Sequence, residues 1–286
     1  MSIQIIRFLK LTLKILLTGI ALYWVQSKVD LGELKKTLLK SDFFLLAGAF
    51  LFFLVSQIFA SLRVRSFFSS AGLTLSEWSN YKLYLLGMFY NMFFPGGVGG
   101  DGYKVFLLRK KFMVDTRKLI GSIFFDKLSG LWALGVLTLL LTASIQVLSF
   151  SPHFFLLIIT SGTLIYFTIQ HVFFKNYNQS LPLTHVMALG VQIFQLLCVF
   201  CIIQAVHAEP PFVPYLLMFM TSSLLAIVPF TIGGLGAREL VFLYGAEFFS
   251  LDTQLAVTIS LLFYIISALS SLPGVYFVFN SRKLGL

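Results

Sequence analysis

The chain has 286 residues, 58% of them hydrophobic and only 11% charged, and its mean hydropathy is +0.92. Soluble domains are about one-quarter charged, and sustained apolar runs of this density read as transmembrane helices, so an all-α polytopic membrane protein is predicted. No stretch is long and polar enough to fold as a soluble catalytic module, and no polar linker divides the chain, so 1–286 reads as one integral membrane domain. The formal net charge of +10 reads as cytoplasmic loops that face anionic lipid, with a path of basic residues for anionic head groups as the alternative, and not as nucleic-acid binding.

A first helix is predicted over 5–26. Arg7, Lys10 and Lys14 precede the apolar run 15–25, as in a secretory signal, but lysines interrupt the apolar core and no small-x-small cleavage site follows. An uncleaved helix with snorkelling lysines fits better. A mixed-charge stretch, 27–41, leads to a second helix over 42–62 that stops at Arg63 and Arg65. After a polar connector with Gly72, Glu77 and Trp78, residues 81–94 are apolar but too few to cross a ~30 Å core, which needs about 20 helical residues. They run into a glycine-rich stretch. A short helix resumes over 103–112, with Arg109, Lys110, Lys111, Arg117 and Lys118 following.

Long apolar stretches cover 119–148, 154–174 and 183–206, punctuated by Pro152, Pro182, Pro210 and Pro211. Cys198 and Cys201 sit inside the third and read as small packing residues. Segments 212–228 and 237–249 are again short and flank a second glycine-rich stretch. A last long helix runs over 251–279, closed by Arg282 and Lys283. Placing the basic flanks (Arg63/Arg65, 104–118, Arg282/Lys283) in the cytoplasm puts both flanks of 81–112 inside and both flanks of 212–249 outside. The expected architecture is therefore about six full transmembrane helices plus two opposed re-entrant helical hairpins, approximately 81–112 and 212–249. Such opposed broken helices suit an inverted repeat with tips meeting near the midplane. The expected location is the inner (cytoplasmic) cell membrane, with both termini cytoplasmic. The lysines of 27–41 then fall outside, diluted by Asp30, Glu33 and Asp42.

Residues 91–104 read Asn-Met-Phe-Phe-Pro-Gly-Gly-Val-Gly-Gly-Asp-Gly-Tyr-Lys, and 229–239 read Pro-Phe-Thr-Ile-Gly-Gly-Leu-Gly-Ala-Arg-Glu. Irregular backbone and charge persist at membrane depth mainly where protein or a water-filled cavity surrounds them. Gly96, Gly97, Gly99 and Gly100, with Gly233, Gly234 and Gly236, allow close backbone approach and free amides that suit a phosphate, or simply let two tips pack. Asp101 needs a partner, for which Lys104, Lys127 and Arg238 are candidates, or it caps a helix. Arg238 and Glu239 either meet a head group or hold the tips as an internal ion pair. Asp126 and Lys127 lie about 12 Å into the membrane if their helix starts near Lys118, which favours a bundle-facing pair. Asn91, just before the first tip, is a further polar candidate, with a helix–helix hydrogen bond as its plainer role.

His153, His171, His185 and His207 are scattered without ligand spacing, and no Walker loop, HExxH or nucleotide fingerprint occurs. No catalytic residue, metal site or cofactor is assigned.

With Pro95 opening the first motif, the segment 95–101, the Asp126-Lys-Leu-Ser-Gly run and 229–239 resemble, in order, the hallmarks of the lysylphosphatidylglycerol synthase/flippase transmembrane family. Lys104 and Lys127 stand where arginine is commoner in that family. The resemblance implies an inner-membrane protein related to the flippase half of aminoacyl-phospholipid resistance proteins. The chain ends at Leu286 without their soluble transferase domain, so it is expected not to synthesise lipid by itself. A flippase for a phospholipid or a polyprenyl-phosphate-linked intermediate is the leading expectation, with a separately encoded lipid-modifying enzyme as a potential partner. The alternative is a membrane-embedded glycosyl- or lipid-modifying enzyme, or an accessory subunit of one.

Overall fold

A computed structural model describes residues 30–93, 99–145, 151–173, 175–227 and 234–286, together with Gly19 and Tyr23. The first helix, predicted over 5–26, otherwise lies outside the described residues. All regular structure among the described residues is helical: α1 (Leu31–Lys40), α2 (Phe43–Ser70), α3 (Glu77–Phe93), α4 (Gly99–Phe112), α5 (Thr116–Ala143), α6 (Pro152–Phe173), α7 (Leu181–Ala205), α8 (Val213–Ile227), α9 (Ala237–Phe248), α10 (Thr253–Ser271) and α11 (Gly274–Phe279), with 3₁₀ turns at Lys175–Ser180 and Ser281–Leu284. Helices α2, α5, α6 and α7 and the α10–α11 run are long and apolar enough to cross a membrane. The protein is an all-α polytopic membrane protein.

Carboxylates start several of these helices. Asp30, Asp42, Asp115 and Asp252 each accept from a backbone N–H in the turn that follows, filling donors that a helix N-terminus leaves open. The stretch 27–41 is therefore not only a connector, because its second half is α1. The second helix also runs past Arg63 and Arg65 to Ser70. It continues because both cations find partners on neighbouring elements: Arg63 on α5, and Arg65 on the Leu75 carbonyl and Glu77. The last long helix is broken at Pro273, which lacks the N–H needed to continue the ladder. There Gly274 meets the Leu85 carbonyl of α3 so closely that a Cβ has no room.

Cross-contacts sort the helix ends into two groups. At one end Ser70 bonds Ser180, Tyr177 bonds the Lys118 carbonyl, and Ser79 and Lys82 bond the carbonyls of Gly285 and Lys283. At the other, the Asp42 N–H bonds the Ala205 carbonyl and Asp30 is joined to Gln254. Arg65, Lys82, Arg109, Lys110, Lys111, Arg117, Lys118, Lys175, Arg282 and Lys283 belong to the first, basic end. Asp30, Glu33, Asp42, Glu209, Glu247 and Asp252 belong to the second, with Lys35, Lys36 and Lys40.

The short helices form two antiparallel pairs. Gly87 of α3 faces Gly100 and Lys104 of α4, and Asn91 meets Gly100, so the α3–α4 pair has its base at the basic end. Met218 of α8 faces Gly245 of α9, and Ser223 meets Arg238, so the α8–α9 pair has its base at the opposite end. A core built from Phe53, Ile202, Phe219, Phe242 and Phe263 joins α8 and α9 to α2, α7 and α10. A second core of Val64, Phe68, Leu83, Leu86, Leu108 and Leu119 seats α3 and α4 on α2 and α5.

Candidate functional site

The α3–α4 pair approaches backbone to backbone. A Cβ on Gly100 would strike the Gly87 carbonyl, and a Cβ on Gly87 would strike the Lys104 side chain. Asn91 Oδ1 accepts the Gly100 N–H at 2.8 Å, filling one open donor at the start of α4. Asn91→Ala is expected to lower stability by about 1 kcal/mol, read as the unfolding midpoint in detergent. The helix begins at Gly99, so Asp101 lies within its first turn. It does not act as the cap: Oδ1 is 3.0 Å from Lys104 Nζ and Oδ2 is 3.1 Å from Lys127 Nζ. Lys104 is buried with its ammonium 5.1 Å from the centre of the Tyr84 ring.

Asp126 and Lys127 do not act as a mutual pair. Neighbours on a helix point in different directions: Lys127 turns to Asp101, and Asp126 turns to Arg63, Nε to Oδ1 at 2.8 Å. Arg63 is thus a buried bundle residue and not a cytoplasmic flank. Gly130, one turn beyond Asp126, leaves it room, since a Cβ there would lie 3.2 Å from Arg63 Nη1. Arg63→Met is expected to strand the Asp126 carboxylate and cost about 3–5 kcal/mol. Arg63→Met/Asp126→Leu should regain most of that loss in the same unfolding assay.

Asp101 lies eleven residues from the last residue of α4, and Lys127 eleven from the first of α5. At 1.5 Å per residue both lie about 16 Å along their helices from the ends that carry the basic residues. The charges do not cancel there. Arg63 and Asp126 neutralise each other, whereas Asp101 serves two lysines and leaves one positive charge over. Lys127 is also the open member, with 56% of its side chain exposed against 8% for Asp101.

The α8–α9 pair carries a different arrangement. Gly234 and Gly236 have φ of +84° and +85°, a left-handed backbone that favours glycine. Glu239 is fully buried, with Oε2 accepting the Gly236 N–H at 2.6 Å and Oε1 the Ser260 hydroxyl at 3.0 Å. Arg238 donates to Ser223 Oγ at 3.2 Å, and its guanidinium lies 5.8 and 5.2 Å from the ring centres of Phe219 and Phe263, in cation–π range. The expected Arg238–Glu239 ion pair is absent among the described residues, because the two side chains leave the helix in different directions.

Asn91, Gly99, Gly100, Asp101, Lys104, Asp126 and Lys127 are therefore brought together, and Gly234, Gly236, Arg238 and Glu239 form a second group. Gly96, Gly97 and Gly233 lie outside the described residues, as do Pro95 and Pro229. Arg238, one expected partner of Asp101, is engaged elsewhere, and the two groups share no hydrogen bond or ion pair among the described residues. Arg63, Tyr84, Ser223 and Ser260 were not anticipated. Arg63 alone carried a signal, as a charge within reach of an unbroken apolar helix. Cys198 and Cys201 are free thiols, and no metal-ligand cluster occurs among the described residues.

No curated protein matches the chain significantly. The family described as "Lysylphosphatidylglycerol synthase TM region" matches residues 11–274, nearly the whole chain, and it spans all the elements that build both groups. The chain belongs to the lysylphosphatidylglycerol synthase transmembrane-region family.

Proposed function

We propose that the protein moves a phosphate-bearing lipid between the leaflets of the inner membrane and that the Asp101–Lys104–Lys127 cluster receives its head group. The observation that carries this reading is the unmatched positive charge near the tip of the α3–α4 pair, with Lys127 as the open cation, which this reading places deep in the membrane. A cation at the bilayer centre costs about 2.5–3.5 kcal/mol on insertion scales, so it persists where a counter-ion or a function compensates. Family membership supports a lipid-related role. In this reading α3–α4 and α8–α9 are re-entrant hairpins entering from opposite faces. The basic end faces the cytoplasm, as the charge rule requires, and both termini lie on that side. The lipid is a phospholipid or a polyprenyl-phosphate-linked intermediate, supplied or consumed by a separately encoded enzyme.

Reconstitution tests it. Vesicles carrying fluorescent phosphatidylglycerol, phosphatidylcholine or a polyprenyl phosphate are assayed for leaflet exchange by dithionite quenching. Faster exchange of a phosphate-anion lipid than in protein-free vesicles is expected. Rates equal to protein-free vesicles for all three would overturn the proposal.

A further inference from the structure

The outer surface of α4 and α5 carries a pattern that the head-group cluster alone does not explain. On α4 the exposed positions include Gly102, Phe106 and Arg109, and on α5 they include Arg117, Ile120, Phe124 and Lys127. Steps of three and four residues place each set on one face of its helix. The two helices run antiparallel in contact: Asp101 meets Lys127 near the tip, and Leu108 and Leu119 share a core nearer the basic end. Their opposite faces, Lys104 and Leu108 on α4 and Ser122, Asp126 and Ser129 on α5, are buried against the bundle. Both exposed faces therefore look outward, side by side.

Read from the basic end inward, this surface begins with Arg109 and Arg117. It continues through Phe106, Ile120 and Phe124, each more than half exposed, and ends at Lys127 beside the side-chain-free Gly102. An apolar stripe by itself is ordinary lipid contact. A stripe that joins two surface guanidiniums to an exposed ammonium about 12–15 Å further along the helices is matched in charge and polarity to one kind of molecule. Its charged groups are all cationic. Of the nearby carboxylates, Asp101 is held by two lysines, and Asp115 is an exposed cap of α5 that accepts the Arg117 N–H, one acid against the Arg109 and Arg117 cations at that end. With cations in excess over that one acid, a phosphodiester without an ammonium of its own is the better match.

We propose that this face of α4–α5 is the track along which an anionic glycerophospholipid reaches the site. Its phosphodiester passes from Arg109 and Arg117 to Lys127 while its acyl chains lie on Phe106, Ile120 and Phe124. The proposal rests on the reading that Lys127 meets the head group.

Photo-crosslinking tests it without requiring transport. p-Benzoylphenylalanine is placed at Phe106, Phe124 or, as a control, Leu157, which is 65% exposed on α6. Each protein is reconstituted with alkyne-tagged phosphatidylglycerol or phosphatidylcholine. Phosphatidylglycerol labelling should be stronger at Phe106 and Phe124 than at Leu157, and phosphatidylcholine labelling should be even across the three. One surface cation contributes about 1 kcal/mol toward anionic lipid, so Arg109→Gln or Arg117→Gln should each cut the excess about fivefold. Even phosphatidylglycerol labelling, insensitivity to both arginine variants, or crosslinks to residues 1–29 of the chain in place of lipid would overturn the track. Selective labelling in a protein that exchanges no lipid would leave the track standing and sink the transport reading. Normal exchange with even labelling would do the reverse.

Discussion

Asp101→Asn is expected to be the most damaging single charge change in the protein. The carboxylate is buried and contacted by two ammonium groups at 3.0 and 3.1 Å. Neutralising it leaves Lys104 enclosed in protein beside a second cation with no anion between them. Removing one partner from a buried ion pair costs about 3–5 kcal/mol, because the remaining charge stays desolvated. The expected result is a correspondingly lower unfolding midpoint in detergent together with loss of lipid exchange. Asp101→Asn/Lys104→Met removes the stranded charge and should restore most of the stability. It should not restore exchange, since the pair that positions Lys127 is still missing. Recovery of exchange in the double variant would show that Asp101 has a purely structural role.

Gly100→Ala is expected to act through shape and not charge. Its new methyl group would collide with the Gly87 carbonyl, a backbone atom of α3 that no rotamer change can move. Overpacking typically costs about 1–3 kcal/mol, and the upper part of that range applies where backbone must shift. The displacement also pulls the Gly100 N–H from Asn91 and moves Asp101, the next residue, away from Lys127. The unfolding midpoint in detergent should drop accordingly in Gly100→Ala, while Gly99→Ala, where a Cβ meets nothing within 4 Å, should not lower it.

Much of this architecture is legible in the amino-acid order. The runs 81–94 and 212–228 are too short to span, and each leads into glycine, which is why two helical pairs were expected where α3–α4 and α8–α9 stand. Two of the three partners named for Asp101, Lys104 and Lys127, are its ion partners. Directionality was harder to read. Asp126-Lys127 and Arg238-Glu239 look like pairs in sequence, yet consecutive helical residues diverge and each finds a different element. Arg63 reads as the end of a membrane helix, because a snorkelling arginine and one that turns inward to a carboxylate 63 positions away are the same letter. The run 251–279 reads as one long helix because its apolar pattern continues through Pro273, where the helix in fact breaks, and the Gly274 that follows packs on Leu85, far away in the chain. Ser223 and Ser260 carry no signal at all: hydroxyls are common in membrane helices, and only the fold shows which of them face Arg238 and Glu239.

Lys127 separates function from folding better than any other residue of the cluster. Removing its charge takes the surplus cation out of the cluster and still leaves Asp101 paired with Lys104 at 3.0 Å, so Lys127→Gln should fold and purify as the parent does. If this ammonium receives the lipid phosphate, its loss removes a charged hydrogen bond worth about 1.5–3 kcal/mol, a fall of roughly tenfold or more in exchange rate. The decisive measurement is leaflet exchange of fluorescent phosphatidylglycerol in vesicles holding equal amounts of parent or Lys127→Gln protein, both monodisperse with matching unfolding midpoints. A fall of that size with stability intact is the predicted result, and parent-like exchange by Lys127→Gln would contradict the account.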